Sequence, residues 1–183
     1  MDGKRPPSVP PSAHLSQGEV RVTTSRDVCF STILGSCIAT LIWDPQACVG
    51  GVNHLLLPST PLRSGARLGH DLNLMELLIN GVLHAGGARE NLQAKVFGGA
   101  QMIDGLGSTG AANAAFVQAF LDDEGIPCTA RSVGGRRARR LLIWPAAGRV
   151  QQRRLKTTDL SMMPERYVDL RADALRLSGV ELL

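Results

Sequence analysis

Apolar and polar positions along the chain fall into two alternating rhythms, and the rhythm changes from strand-like to helix-like as the chain proceeds. Val28–Leu34 and Ile38–Trp43 are apolar, β-branched runs separated by a Gly-Ser-Cys turn, and Asp44-Pro45 breaks the second. Val49–Leu57 is a third strand, closed by Pro58, and Glu19–Thr24 is a short strand ahead of them. From Asp71 to about Ala85 the apolar residues Leu72, Met75, Ile79, Val82 and Leu83 recur at three- and four-residue steps, which predicts a helix ended by Gly86-Gly87. Leu92–Phe97 reads as a buried strand running into Gly98-Gly99. Ala111–Glu124 is a second helix, with Phe116, Phe120 and Leu121 inward and Gly125 as its stop. Strands near Thr129–Val133 and Arg140–Trp144 follow, then one at Arg149–Leu155. Strands wrapped around two helices predict an α/β layered fold.

The ends break this pattern. Residues 1–18 hold Pro6, Pro7, Pro10 and Pro11 among Ser and Gly, a composition expected to give a disordered leader. Residues 19–156 are the folded domain. Residues 157–183 form a tail with a short amphipathic helix: Pro164 stands near its start, Tyr167, Leu170, Ala174 and Leu177 make a stripe, and Gly179 ends it. A length of 183 residues with 44% hydrophobic content suffices for one core, and with aromatics at only 4% that core is aliphatic.

Charge is unevenly spread. Residues 131–156 hold nine Lys/Arg and no acid, whereas the remainder holds eleven Lys/Arg against sixteen Asp/Glu, a net of −5. A basic strip on an acidic body can steer an acidic partner, or can be simply a solvated surface. Apart from Trp144 it lacks the interleaved aromatics that stack bases, which argues against nucleic acid. No apolar h-region follows Lys4 and Arg5, and no stretch approaches the ~18 apolar residues of a membrane span, so no membrane insertion is expected. Cys29, Cys37, Cys48 and Cys128 contain no C-x-x-C pair, and only Cys48 and His54 lie close enough in sequence to suggest a metal. A reduced, cytoplasmic protein without metal or organic cofactor is expected. Gly98-Gly99 and Gly134-Gly135 lack the phosphate-loop spacings, which excludes a nucleotide site on those motifs and leaves close backbone packing as their use.

The chemistry concentrates at Leu34-Gly35-Ser36-Cys37 and, seventeen residues on, at Gly50-Gly51-Val52-Asn53-His54. A turn exposes the Cys37 thiol and leaves backbone N–H groups beside it; the Ser36 and Cys37 amides are the candidate oxyanion donors. Cys29, Cys48 and Cys128 sit in or beside apolar runs and read as small buried hydrophobes. His54, next to glycines that permit close backbone approach, can reach Cys37 as general base and later as general acid. His14, His70 and His84 carry no assigned role. A third group should orient the imidazole. Ser31 and Thr32 are the hydroxyls upstream of Cys37, and strand alternation lets only one of them serve.

These blocks carry a resemblance. Ser31-Thr32-Ile33-Leu34-Gly35-Ser36-Cys37-Ile38-Ala39, Trp43-Asp44-Pro45 and Gly50-Gly51-Val52-Asn53-His54-Leu55-Leu56-Leu57-Pro58 resemble the chemoreceptor glutamine deamidase family, CheD. The likeness runs on through Met75-Glu76-Leu77-Leu78-Ile79-Asn80, Ala94-Lys95-Val96-Phe97-Gly98-Gly99-Ala100, Asn113 and Gly134-Gly135-Arg136, over roughly residues 19–150. The resemblance implies a compact three-layer α/β sandwich with mixed β-sheets and two main helices. It implies a protein-glutamine deamidase using Cys37 and His54, with Ser31 favoured over Thr32 as the orienting hydroxyl. It further implies methyl-accepting chemotaxis receptors, through their cytoplasmic helical bundle, as substrates, and in some members a CheC-type phosphatase as partner. A catalytically weak scaffold for receptors or that phosphatase is the alternative. Ala112 and Ser132 depart from the family pattern, where Arg and an acid are common.

Overall fold

The computed structural model describes residues 11–56, 68–101 and 109–155, with side chains from residue 73 onward in the first helix. The tail helix, most of the loop expected after Pro58, and residues 1–10 of the expected leader lie outside these segments.

Among the described residues, nine strands and two α-helices follow one another as β1 (Ala13–His14), β2 (Val20–Thr23), β3 (Phe30–Leu34), β4 (Ile38–Asp44), β5 (Val49–Leu55), α1 (Leu68–His84), β6 (Gln93–Gly98), α2 (Thr109–Asp123), β7 (Cys128–Val133), β8 (Arg139–Trp144) and β9 (Arg149–Arg154). They form two mixed sheets, one in the order β2-β5-β4-β6-β7 and one in the order β1-β3-β8-β9. β6–β7 and β1–β3 are parallel pairs, and the rest of both ladders is antiparallel. The α/β class and the two helices follow the sequence pattern, with bounds within three residues, and the mixed sheets are those the family resemblance implied.

The five-stranded sheet is the middle layer, and this explains why every residue of β4 and β5 is buried. Strand side chains alternate between faces, so each strand supplies two cores. Ile38, Ile42, Val49 and Leu55 point to the helices, where they meet Met75, Leu78, Ile79 and Val82 of α1 and Val117, Phe120 and Leu121 of α2. Ala39, Leu41, Trp43 and Val52 point the other way, against Phe30, Leu34, Leu141 and Ile143 of the outer sheet. Apolar burial at roughly 25 cal/mol per Å² drives both interfaces. Gly50 and Gly51 do permit close approach, but to different neighbours from the one expected. A Cβ on Gly50 would stand 2.3 Å from the Pro145 carbonyl oxygen, and one on Gly51 2.7 Å from Leu78. They seat the sheet against its two flanking layers and do not bring His54 to Cys37.

The expected disordered leader is too long. Within it, Ala13–His14 pairs with Phe30–Ser31 of β3, and Leu15 is fully buried in the core between the sheets. Two residues of parallel edge strand have no local rhythm to betray them, because only the partner strand makes them a strand. Gly134 and Gly135 have open space where a Cβ would go and φ values of 76° and 78°. They are there for a left-handed turn between β7 and β8, and the close packing expected of them does not occur. Among the described residues no helix is long and apolar enough to cross a membrane.

Candidate active site

Register brings the thiol and the imidazole to one face. Ala39 of β4 is directly opposite His54 of β5, and Ile38 is opposite Leu55. Cys37 immediately precedes β4, so continuing the ladder sets it diagonally across from His54 on the same face, a relation in which Cα atoms lie about 7–8 Å apart. Cys37 packs against the core between the two sheets, the same layer into which His54 projects.

His54 is 6% exposed, and its ring is held from the outer sheet. Thr32 Oγ1 lies 3.0 Å from His54 Nδ1 and donates its own proton to the Leu15 carbonyl at 2.9 Å. A hydroxyl has one proton, so toward the ring Thr32 can only accept. The network therefore assigns the proton of the neutral imidazole to Nδ1, with the Leu15 oxygen a second acceptor at 3.4 Å. Nε2 is left as the lone-pair nitrogen, and it is buried without a hydrogen-bond partner among the described residues. A buried acceptor without a donor costs stability, and it is the feature a general base needs before its proton donor arrives.

This geometry corrects the orienting residue. Ser31 does not meet the ring; Thr32 does. Phe30, Thr32 and Leu34 are the buried positions of β3, while Ser31 and Ile33 alternate away from that layer and are only half-buried. The apolar pair Phe30 and Leu34 flanking Thr32 was the signal for its face. The Leu15 carbonyl, in contrast, had no sequence signal at all.

Burial suppresses charge on both members of the pair. The Cys37 thiol is pushed up to about 11 by loss of solvent, with its own backbone N–H pulling the other way. The same burial takes His54 down to about 4, partly opposed by the Leu15 carbonyl bond, while His14 adds to the drop and Glu19 resists it. Between these values both groups are neutral, so no thiolate–imidazolium pair stands ready. In this setting the thiol is not acidified. Burial also raises Cys29 and Cys128.

The turn carrying Cys37 is clamped from behind. The carbonyls of Gly35 and Cys37 accept backbone bonds of 2.8 Å from Ala100 and Gly99. The Ser36 carbonyl accepts a 2.7 Å bond from the side-chain amide of Asn113 in α2. Gly98 has φ 122°, and a Cβ there would stand 2.0 Å from the Cys37 carbonyl oxygen, so only glycine lets β6 close on the turn.

The basic strip proves heterogeneous. Arg140, Arg149, Arg153 and Arg154 lie on β8 and β9 with Arg136 and Arg137 in the preceding turn, but Arg139 is 3% exposed and donates to the carbonyls of Ser132 and Gly134. It braces the β7–β8 turn and is no part of a docking face.

The fold and site are those of a thiol–imidazole pair set between the two sheets of a three-layer α/β sandwich. The family model for CheD chemotactic sensory transduction matches residues 64–154. The probable chemoreceptor glutamine deamidase CheD of Cereibacter sphaeroides (strain ATCC 17023) is 50% identical over 147 residues, 80% of this chain and 74% of that protein. The protein of the same description from Caulobacter vibrioides (strain NA1000) is 52% identical over 142 residues, 76% of each chain. That from Rhizobium etli (strain CIAT 652) is 46% identical over 142 residues, 76% of this chain and 77% of that one. This chain belongs to the CheD family. Among solved structures, Neisseria meningitidis protein NMB0706 aligns with a TM-score of 0.37 at 10% identity, over 64% of this chain and 52% of that one, a likeness too slight to bear on fold or chemistry.

Proposed function

We propose that this protein hydrolyses the side-chain amide of glutamines in chemoreceptors, releasing ammonia and leaving glutamate, with Cys37 as nucleophile and His54 as acid and base. The observation that carries the reading is the chain Leu15 carbonyl, Thr32 hydroxyl, His54 Nδ1–H, which leaves an unpartnered Nε2 on the face shared with Cys37. Support from the relatives is their description as chemoreceptor glutamine deamidases at about 50% identity over most of the chain.

Nε2 accepts the thiol proton as Sγ attacks the carboxamide carbon. Negative charge collects on the former carbonyl oxygen, within reach of the Cys37 N–H. Nε2–H then protonates the departing nitrogen, and the C–N bond breaks to give ammonia and a γ-glutamyl thioester. A water gives its proton to Nε2, attacks the thioester, and expels the sulfur, which recovers the proton. Thr32 and Leu15 are neutral acceptors. They hold the ring without stabilising imidazolium as a carboxylate would, consistent with a histidine that stays neutral to about pH 4. A reducing compartment suits this chemistry, and the four free cysteines support it.

The test is mass spectrometry of a purified receptor cytoplasmic fragment after incubation with the protein. Each converted glutamine gains ~1 Da, as replacing NH₂ by OH requires, and one ammonia appears per conversion. Cys37→Ala should abolish both, a loss of at least roughly 10³-fold, and His54→Ala should do nearly as much, because nucleophile and base fail as a unit. Retention of most activity by Cys37→Ala would remove the nucleophile assignment.

A further inference from the structure

Asn113 is the polar group whose burial the reading above leaves unexplained. It is fully buried in the second turn of α2, a position where asparagine is a poor helix former, and an amide taken out of water costs stability unless it is bonded. Its side-chain N–H donates to the Ser36 carbonyl across 2.7 Å.

The three carbonyls of the nucleophile turn are not held alike. Those of Gly35 and Cys37 are bonded by backbone amides of the β6 end, so they come with the fold. The Ser36 carbonyl is bonded by a side chain. A trans peptide is planar, with its N–H opposite its C=O, so fixing the Ser36 oxygen fixes the direction of the Cys37 N–H. With Ser36 C=O turned toward α2, that N–H is turned away from α2. Rotation of this one peptide would aim a carbonyl oxygen, instead of an N–H, at the place where the oxyanion forms.

We propose that Asn113 is a positioning residue that locks the Ser36–Cys37 peptide so that the Cys37 N–H faces the oxyanion of the glutamine under attack. The proposal rests on the deamidase reading. It deepens that reading by placing the determinant of the oxyanion donor on a helix more than seventy residues away from the nucleophile.

Asn113→Asp keeps the shape and removes the donor; Asn113→Ser, whose hydroxyl is about one bond too short to reach, does the same without adding charge. Loss of one oxyanion donor costs about 10²–10³ in kcat in other enzymes, and a peptide merely set free should lose part of that. The expected result is a fall in kcat of about 10- to 100-fold on the receptor fragment with KM within about twofold. Alkylation of Cys37 by iodoacetamide, which displaces halide at a saturated carbon and forms no oxyanion, should stay within about threefold. Thermal unfolding reports whether each variant folds, and the folded one decides. A folded variant with wild-type kcat overturns the proposal. So does alkylation that slows in step with kcat, because Asn113 would then support the thiol itself, and so does failure of both variants to fold, because its role would then be to hold the structure. If the wild-type protein releases no ammonia from the receptor, the deamidase reading falls and takes this one with it. An active wild type with unimpaired variants removes this one alone.

Discussion

The two faces of β5 do different work with neighbouring residues. Toward the helices it presents Val49, Asn53 and Leu55 to an aliphatic layer, where the single amide of Asn53 is absorbed by bonds to Thr40 N, the Leu74 carbonyl and Met75 Sδ. Toward the outer sheet it presents Val52 and His54, and there Nε2 is left without a partner. The helix side carries no titratable group of β5 and its Asn53 amide is bonded, although the Thr40 hydroxyl opposite it is buried without a partner among the described residues. The other face holds an unfilled demand, and that demand is the candidate chemistry. A sheet covered on both sides can separate stability from reactivity across its own thickness.

Cutting into the helix side should affect folding alone. Leu78→Ala removes a fully buried side chain between α1 and the middle sheet and should cost about 2–5 kcal/mol in urea unfolding. Turnover per folded molecule should stay within about twofold of wild type. If turnover falls as steeply as stability, the two faces are not separate.

Acid should act through the open face, lowering stability from about pH 6.5 downward and turnover only near pH 4. His54 in the folded protein takes its proton only near pH 4, while the unfolded chain takes it near 6.5. Stability contributed by the neutral ring is complete above pH 6.5 and drains away as the pH falls toward 4, by about 3 kcal/mol in all. Comparison with His54→Gln isolates this: wild type should lose about that much more between pH 7 and 4. The acid limb of kcat/KM should lie near pH 4, since the base is still free at pH 5. A limb near 6.5 would mean a solvated ring.

The smallest effect sharpens the contrast within a single strand. Thr32→Val removes one neutral hydrogen bond to the ring and should lower kcat about five- to tenfold, Thr32→Ser should restore it, and Ser31→Ala should be silent. Loss of activity in Ser31→Ala with none in Thr32→Val would reverse the two hydroxyls.

Most of the frame was legible because its strands are long, β-branched and punctuated by Gly, Pro and Asp-Pro. Cys37 and His54 stood out because a Gly-Ser turn and a glycine-flanked histidine are unusual settings for those side chains. What escaped was non-local. Leu15 is one apolar residue in a proline-rich stretch, and its burial depends on β3. Asp44 read as a strand breaker, yet its carboxylate is fully buried and accepts from the backbone of Gln46, Ala47 and Ala88, binding the β4–β5 turn to the loop that follows α1. Thr32 was decidable from parity, since its neighbours two away are Phe30 and Leu34. The family likeness pointed to Ser31, whereas the hydroxyl beside the ring is that of Thr32.

The strict alternation of β5 makes its length a chemical property. A substitution in this strand changes one side chain on one face. Insertion or deletion of a single residue ahead of position 54 would exchange the faces outright, turning the imidazole into the helix layer and the Asn53 amide toward the sulfur. Nothing in hydrophobic content or charge would register so small an edit. The candidate site is therefore specified partly by arithmetic: an odd number of residues gained or lost in a seven-residue strand erases it, however well each remaining residue suits its place.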